Sequence, residues 1–169
     1  MSQFYTASFF SQAAAGYHPT STFGLIHFAM KQERFIVYMV DDDADDLEIL
    51  SEAFEASGCA SEIKCFISGI ELLHLMQSRK IEIPDIIIMD HYLSANDQAD
   101  MPGIIRSEKQ NDNITLVVYS SSLSPVRIEQ LLQRGVDLCR HKGNSMEGLK
   151  VDVEAFCEAI KNKKQTITE

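Results

Sequence analysis

FIVYMVDDDADD, residues 35 to 46, sets six mostly apolar residues directly before five aspartates in six positions. FIVYMV is short, apolar and rich in β-branched side chains, as a buried strand requires. The segment after it, ADDLEILSEAFEAS, repeats Leu47, Leu50 and Phe54 at helical spacing, and Gly58 ends that helix. A block of like charges is ordinarily a solvated turn. At the junction of a buried strand and a helix, however, such a block can face a site.

The same alternation continues along the chain. EIKCFI (62–67) reads as a second strand, and SGIELLHLMQSRK as a helix with Ser68 as a candidate N-cap. DIIIM (85–89), after Pro84, is apolar throughout beyond its opening Asp85, as a strand covered on both faces should be. HYLSANDQAD follows without clear period, then MPGIIRSEK, a short helix with Pro102 in its first turn. ITLVVY (114–119) is a fourth strand, SPVRIEQLLQRG a helix closed by Gly135, and VDLCRH leads to Lys142. The last helix, from about Ser145 to Lys163, carries Leu149, Val153, Phe156 and Ile160 on one stripe. Five strands separated by helices predict an α/β protein with a parallel sheet.

Composition narrows the function. A chain of 169 residues, 45% apolar and 24% charged, is ordinary globular material. Its net charge of −10 repels phosphate backbones, which argues against direct nucleic-acid binding. No apolar run approaches the 18 or so residues of a membrane span. Cys59, Cys65, Cys139 and Cys157 show neither CxxC pairs nor zinc-ligand spacing, so reduced thiols in a cytoplasmic protein are expected. Residues 1–29 contain no Asp, Glu, Lys or Arg, a composition boundary that marks them as an extension outside the main domain. The domain itself is expected over 30–163, with a tail at 164–169.

In open parallel sheets, ligands sit beyond the carboxyl ends of the strands. The residues there are Asp41, Asp42 and Asp43 after the first strand, Asp90 after the third, Ser120 after the fourth and Lys142 after the fifth. Two carboxylates about 4 Å apart repel by roughly 4 kcal/mol at an effective dielectric near 20, so a cluster of Asp41, Asp42 and Asp90 must take up protons or hold a cation. An all-oxygen site with few protein ligands suits Mg²⁺. Lys142 adds a fixed positive charge and Ser120 a hydroxyl that can donate to an anionic oxygen. This set of groups is what transfer of a phosphoryl group to an aspartate requires.

On these residues the sequence resembles the response-regulator receiver domains of two-component signalling, of the chemotaxis-regulator type. The resemblance rests on VDDD (40–43), DIIIMD (85–90), VVYSSS (117–122) and GVDLCRHKG (135–143), and it covers about residues 34–163. The spacings of 30 residues from Asp90 to Ser120 and 22 from Ser120 to Lys142 are those of such domains. The resemblance implies a flavodoxin-like doubly wound sheet of strand order 2-1-3-4-5 with helices on both faces. It implies Asp90 as phosphoacceptor, Asp41 and Asp42 as the acidic pair, and a backbone carbonyl at Tyr92 completing a Mg²⁺ site with Asp90. Ser120 and Lys142 would contact the phosphoryl oxygens. The implied partners are a sensor histidine kinase or histidine phosphotransfer protein and a downstream protein reached by protein contacts, since no output domain follows Lys163. Beyond self-catalysed phosphoryl transfer and slow autodephosphorylation, no enzyme activity is implied.

Four positions depart from the pattern: Gly143 stands where proline usually follows the lysine, Cys139 replaces the fifth-strand aromatic, and Ser94 and Gln98 replace a proline and a glycine. These departures keep open a pseudo-receiver, an interaction module without phosphorylation. A metal-dependent phosphohydrolase is disfavoured because Tyr92, not an acid, stands two residues after Asp90. Asp43, Asp45 and Asp46 read as first-turn helix residues, His91 as an exposed loop histidine, and Tyr119 as strand filling. The loop from His91 to Asp100 is expected to be longer than standard.

Overall fold

The computed structural model describes residues 34–91 and 100–168. The expectations for residues 1–29, the Tyr92 carbonyl, and Ser94 and Gln98 therefore lie outside the described residues, as does most of the His91–Asp100 loop. Five parallel strands, β1 (Phe35–Val40), β2 (Ala60–Phe66), β3 (Ile86–Met89), β4 (Thr115–Ser120) and β5 (Leu138–His141), form one sheet in the order β2-β1-β3-β4-β5. The helices are α1 (Ala44–Ser57), α2 (Gly69–Gln77), α3 (Met101–Ser107), α4 (Pro125–Gln133) and α5 (Met146–Thr168). This is the doubly wound, flavodoxin-like α/β architecture expected from the sequence.

The period of two in each central strand sorts its side chains into two cores. Phe35, Val37 and Met39 of β1, Ile86 and Ile88 of β3, and Val117 and Tyr119 of β4 pack with α1 and α5. Tyr38, Val40, Ile87, Met89, Leu116 and Val118 face the opposite side and pack with α2, α3 and α4. Because both faces are covered, β1, β3 and β4 are buried along almost their whole length. At the centre of the first core Phe156 stacks on Phe54 and takes the Tyr119 ring edge-on at 5.3 Å.

Local signals set the boundaries. Asp43 caps α1 by accepting the Asp45 N–H, Ser68 caps α2, and Ser124 caps α4 just ahead of Pro125. Asp43 is thus the N-cap of α1 and not part of its first turn. Gly58 closes α1 with a left-handed φ of 67°. Helix α3 begins at Met101, so Pro102 falls in its first turn, where its missing N–H costs nothing. Helix α5 continues through Thr168, past the end expected at Lys163, with Lys163 hydrogen-bonded to Asp137 and to the carbonyl of Ile114.

The expectation of four reduced cysteines is corrected. Cys59, ahead of β2, and Cys157 on α5 form a disulfide across 98 residues of sequence, both of them buried in the first core. Spacing carries no information about a pair that only the fold brings together. Cys65 and Cys139 are free thiols.

Candidate functional site

The carboxyl ends of β1, β3, β4 and β5 meet at one edge of the sheet. Parallel register aligns Val40 with Met89, so Asp41 and Asp90 emerge side by side, with the Asp90 N–H donating to the Val40 carbonyl. Ligand oxygens of Asp41, Asp42 and Asp90 lie within 4.8 Å of one another. Asp41 is buried, Asp90 partly so, and Asp42 faces solvent. Burial pushes the Asp41 carboxyl above its ordinary range, and hydrogen bonds from Lys142 and the Asp43 N–H pull it only part of the way back.

Lys142 reaches into this cluster from the end of β5. Its Nζ donates to Asp41 Oδ2 at 2.6 Å and to Asp46 Oδ2 at 2.6 Å, and it lies 3.7 Å from Asp90 Oδ1. Its own burial works against the charged amine, but the hydrogen bonds it donates to Asp41 and Asp46 and the nearby negative charge outweigh that, so its pKa is raised and it stays an ammonium. Asp46 is therefore more than a helix-dipole residue. It sits in the first turn of α1, five positions after Asp41, and its carboxylate shares the lysine.

Ser120 ends β4 beside these groups, and its carbonyl accepts the Lys142 N–H at 3.0 Å. Its side chain is fully buried, and its Oγ has no hydrogen-bond partner among the described residues. A buried hydroxyl left unsatisfied is uncommon. Alongside the cluster a cleft of about 330 Å³ opens between the start of α1 and the loop into α5, with Leu47, Leu50, Ile88 and Leu149 among its walls and Asp90 and Lys142 on its lining.

Three contacts escaped the sequence reading. The Tyr119 hydroxyl is not inert filling: it donates to Asp152 Oδ2 at 2.8 Å and accepts the Gly143 N–H at 3.3 Å. A signal existed, because Asp152 lies three residues after Leu149 and four before Phe156, on the buried stripe of α5, where a carboxylate needs a partner. The second is the Asp46–Lys142 pair described above. The third is His91, which is half-buried and accepts a hydrogen bond from Arg127 Nε on α4 at 3.0 Å. Its burial, and then the neighbouring guanidinium, lower its pKa, so the imidazole is neutral and able to accept. Cys139 is partly buried and packs against the second core. No peptide bond among the described residues is cis.

Solved structures share this architecture. The phosphorylated cyanobacterial phytochrome response regulator RcpA aligns with a TM-score of 0.64 at 23% identity, covering 73% of this chain and 91% of that one. The Mn²⁺-bound form of response regulator Rcp1 aligns with a TM-score of 0.64 at 17% identity, over 72% and 91% of the two chains. The chemotaxis response regulator CheY4 of Vibrio cholerae aligns with a TM-score of 0.61 at 17% identity, over 72% and 98%. This chain has the receiver-domain fold. No protein-family model and no curated protein sequence matches it. Within the receiver fold the acidic trio is a donor set consistent with a divalent cation: three carboxylates, all-oxygen, open to water on the Asp42 side. No helix among the described residues is long and apolar enough to cross a membrane.

Proposed function

We propose that this chain is a two-component response regulator that accepts a phosphoryl group on Asp90. The reading is carried by one juxtaposition: Asp41, Asp42 and Asp90 gathered within 4.8 Å, with the Lys142 ammonium against Asp41 and Asp90. Asp41, Asp42 and Asp90 would hold Mg²⁺, together with the Tyr92 carbonyl expected from the family resemblance. When bound, the ion supplies charge neutralisation for an incoming phosphodonor. An Asp90 carboxylate oxygen is the nucleophile. It forms the bond to phosphorus while the bond from phosphorus to the donor breaks.

The chain's own groups prepare that step. Asp41 is held from both sides, Oδ1 accepting the Asp43 N–H and Oδ2 accepting from Lys142, so it cannot turn away from the cluster. Lys142 carries its charge on a long stem, already 3.7 Å from Asp90, and its ammonium can be shared between the carboxylates and phosphoryl oxygens with little rearrangement. The Ser120 hydroxyl, which has no hydrogen-bond partner among the described residues, is a second donor for a phosphoryl oxygen. The partners this function needs are a histidine kinase or histidine phosphotransfer protein upstream and a protein target downstream.

A second reading, a pseudo-receiver that binds partners without phosphorylation, is favoured by Cys139, which has no ring to swing between positions. The two separate cleanly. Incubation with Mg²⁺ and acetyl phosphate followed by intact mass should add one phosphoryl group to the wild-type chain and none to Asp90→Asn. Asp42→Ala should weaken Mg²⁺ binding by at least the roughly tenfold that loss of even an outer-sphere partner brings. Wild-type protein whose mass stays unchanged while it still binds Mg²⁺ would favour the pseudo-receiver.

A further inference from the structure

Receivers resembled by this chain follow their lysine with proline, whereas Gly143 keeps a backbone N–H. That N–H donates to the Tyr119 hydroxyl at 3.3 Å, a bond proline cannot make. The adjacent Lys142 N–H donates to the Ser120 carbonyl at 3.0 Å. Two successive residues of β4 thus clamp two successive residues of the turn that carries the lysine.

The clamp is braced from behind. The Tyr119 hydroxyl donates to Asp152 Oδ2 at 2.8 Å, and Arg140 Nε of β5 donates to Asp152 Oδ1 at 2.6 Å. Asp152 is only 3% exposed, so its charge depends on these two donors. Burial, and then the hydrogen bond to Asp152, push the Tyr119 phenol up to about 12, which keeps it protonated as the donor in this chain. The Phe156 ring fixes the Tyr119 ring edge-on. The Tyr119 hydroxyl and the Asp152 carboxylate are buried polar groups that bond to one another, to Gly143 and to Arg140, and the phosphoryl chemistry does not use them.

We propose that Tyr119, braced by Asp152 and Arg140, is a positioning residue that aims Lys142 at the acidic cluster by holding the Gly143 backbone. This rests on the receiver reading for what Lys142 contacts, but not for the clamp itself. Glycine's freedom is not what the position needs, since Gly143 has no left-handed φ and an added Cβ would make only ordinary contacts, at 3.5 Å with Gly148 and 3.6 Å with Asp152. What it needs is the N–H.

The test uses the full chain and Tyr119→Phe, which keeps the ring on Phe156 and removes only the hydroxyl. Three quantities are read: solvent exchange of the Lys142 ammonium protons by NMR, affinity for beryllofluoride in the presence of Mg²⁺, and affinity for Mg²⁺ alone. Loss of one hydrogen bond should speed the exchange and weaken beryllofluoride binding about tenfold each, while Mg²⁺ affinity stays within about twofold. Gly143→Ala, which retains the N–H, should match the wild type in all three. Asp152→Asn, which keeps the shape and weakens the acceptor, should move the first two in the same direction as Tyr119→Phe. Unchanged exchange and beryllofluoride affinity in Tyr119→Phe would overturn the proposal. So would an equal loss of Mg²⁺ affinity, the mark of general loosening. A wild-type chain that ignores beryllofluoride would count against the receiver reading, and the exchange of Lys142 would still decide the clamp.

Discussion

Lys142→Ala is expected to slow phosphoryl uptake from acetyl phosphate about 100-fold, the loss typical when one preorganised donor to a developing anion is removed. The same substitution leaves Asp41, Asp46 and Asp90 without their shared cation. Asp41, already raised by burial, would then titrate higher still. Removing one member of a largely buried ion pair costs several kcal/mol. Because Asp46 is partly exposed and Asp41 can take up a proton, about 2–3 kcal/mol is expected here in the absence of metal. Mg²⁺ should restore part of this stability by mass action, and more in the variant than in the wild type, since it replaces the missing positive charge. Denaturant titrations with and without Mg²⁺ measure both effects. Uptake in Lys142→Ala at the wild-type rate would show that the ammonium serves the fold alone.

Phe156→Ala is expected to cost about 3–5 kcal/mol, with a fall in midpoint on the order of 10 °C. The side chain is fully buried between Phe54 and Tyr119, and its removal leaves a cavity where α5 meets both α1 and β4. The backbone cannot collapse freely into that space because the Cys59–Cys157 disulfide pins α5 at the next residue. Thermal unfolding of the oxidised protein checks the magnitude. A cost below about 1 kcal/mol would mean that the ring packs far less tightly than its burial indicates.

The fold was legible because its signals are local. The apolar runs within DIIIM and ITLVVY, short and rich in β-branched residues, read as strands covered on both faces, and the stripe of Leu149, Val153, Phe156 and Ile160 as an amphipathic helix. Residues at the strand ends followed from parallel topology, so the gathering of Asp41, Asp42 and Asp90 beside Lys142 was foreseeable. Long-range pairings were not. Cys59 and Cys157 lie 98 residues apart and carry no spacing signature. His91 and Arg127 meet because the first residue after Asp90 lies against α4, a long-range contact that periodicity does not encode. Asp46 was lost among five aspartates, since only the reach of Lys142 distinguishes it from Asp45. Tyr119 in an apolar strand and Asp152 on an apolar helix stripe are each odd alone. Each explains the other once β4 and α5 share a core.

Chemical placement of the phosphoryl group tests the assignment of Asp90 most directly. Protein incubated with Mg²⁺ and acetyl phosphate is treated with borohydride, which reduces an acyl phosphate to an alcohol and leaves free carboxylates untouched, and the peptides are then sequenced by mass. Homoserine should stand in place of Asp90, with Asp41 and Asp42 unaltered and with no homoserine anywhere in Asp90→Asn. Homoserine at Asp41 or Asp42, or modified protein whose phosphoryl group survives the Asp90→Asn substitution, would contradict it.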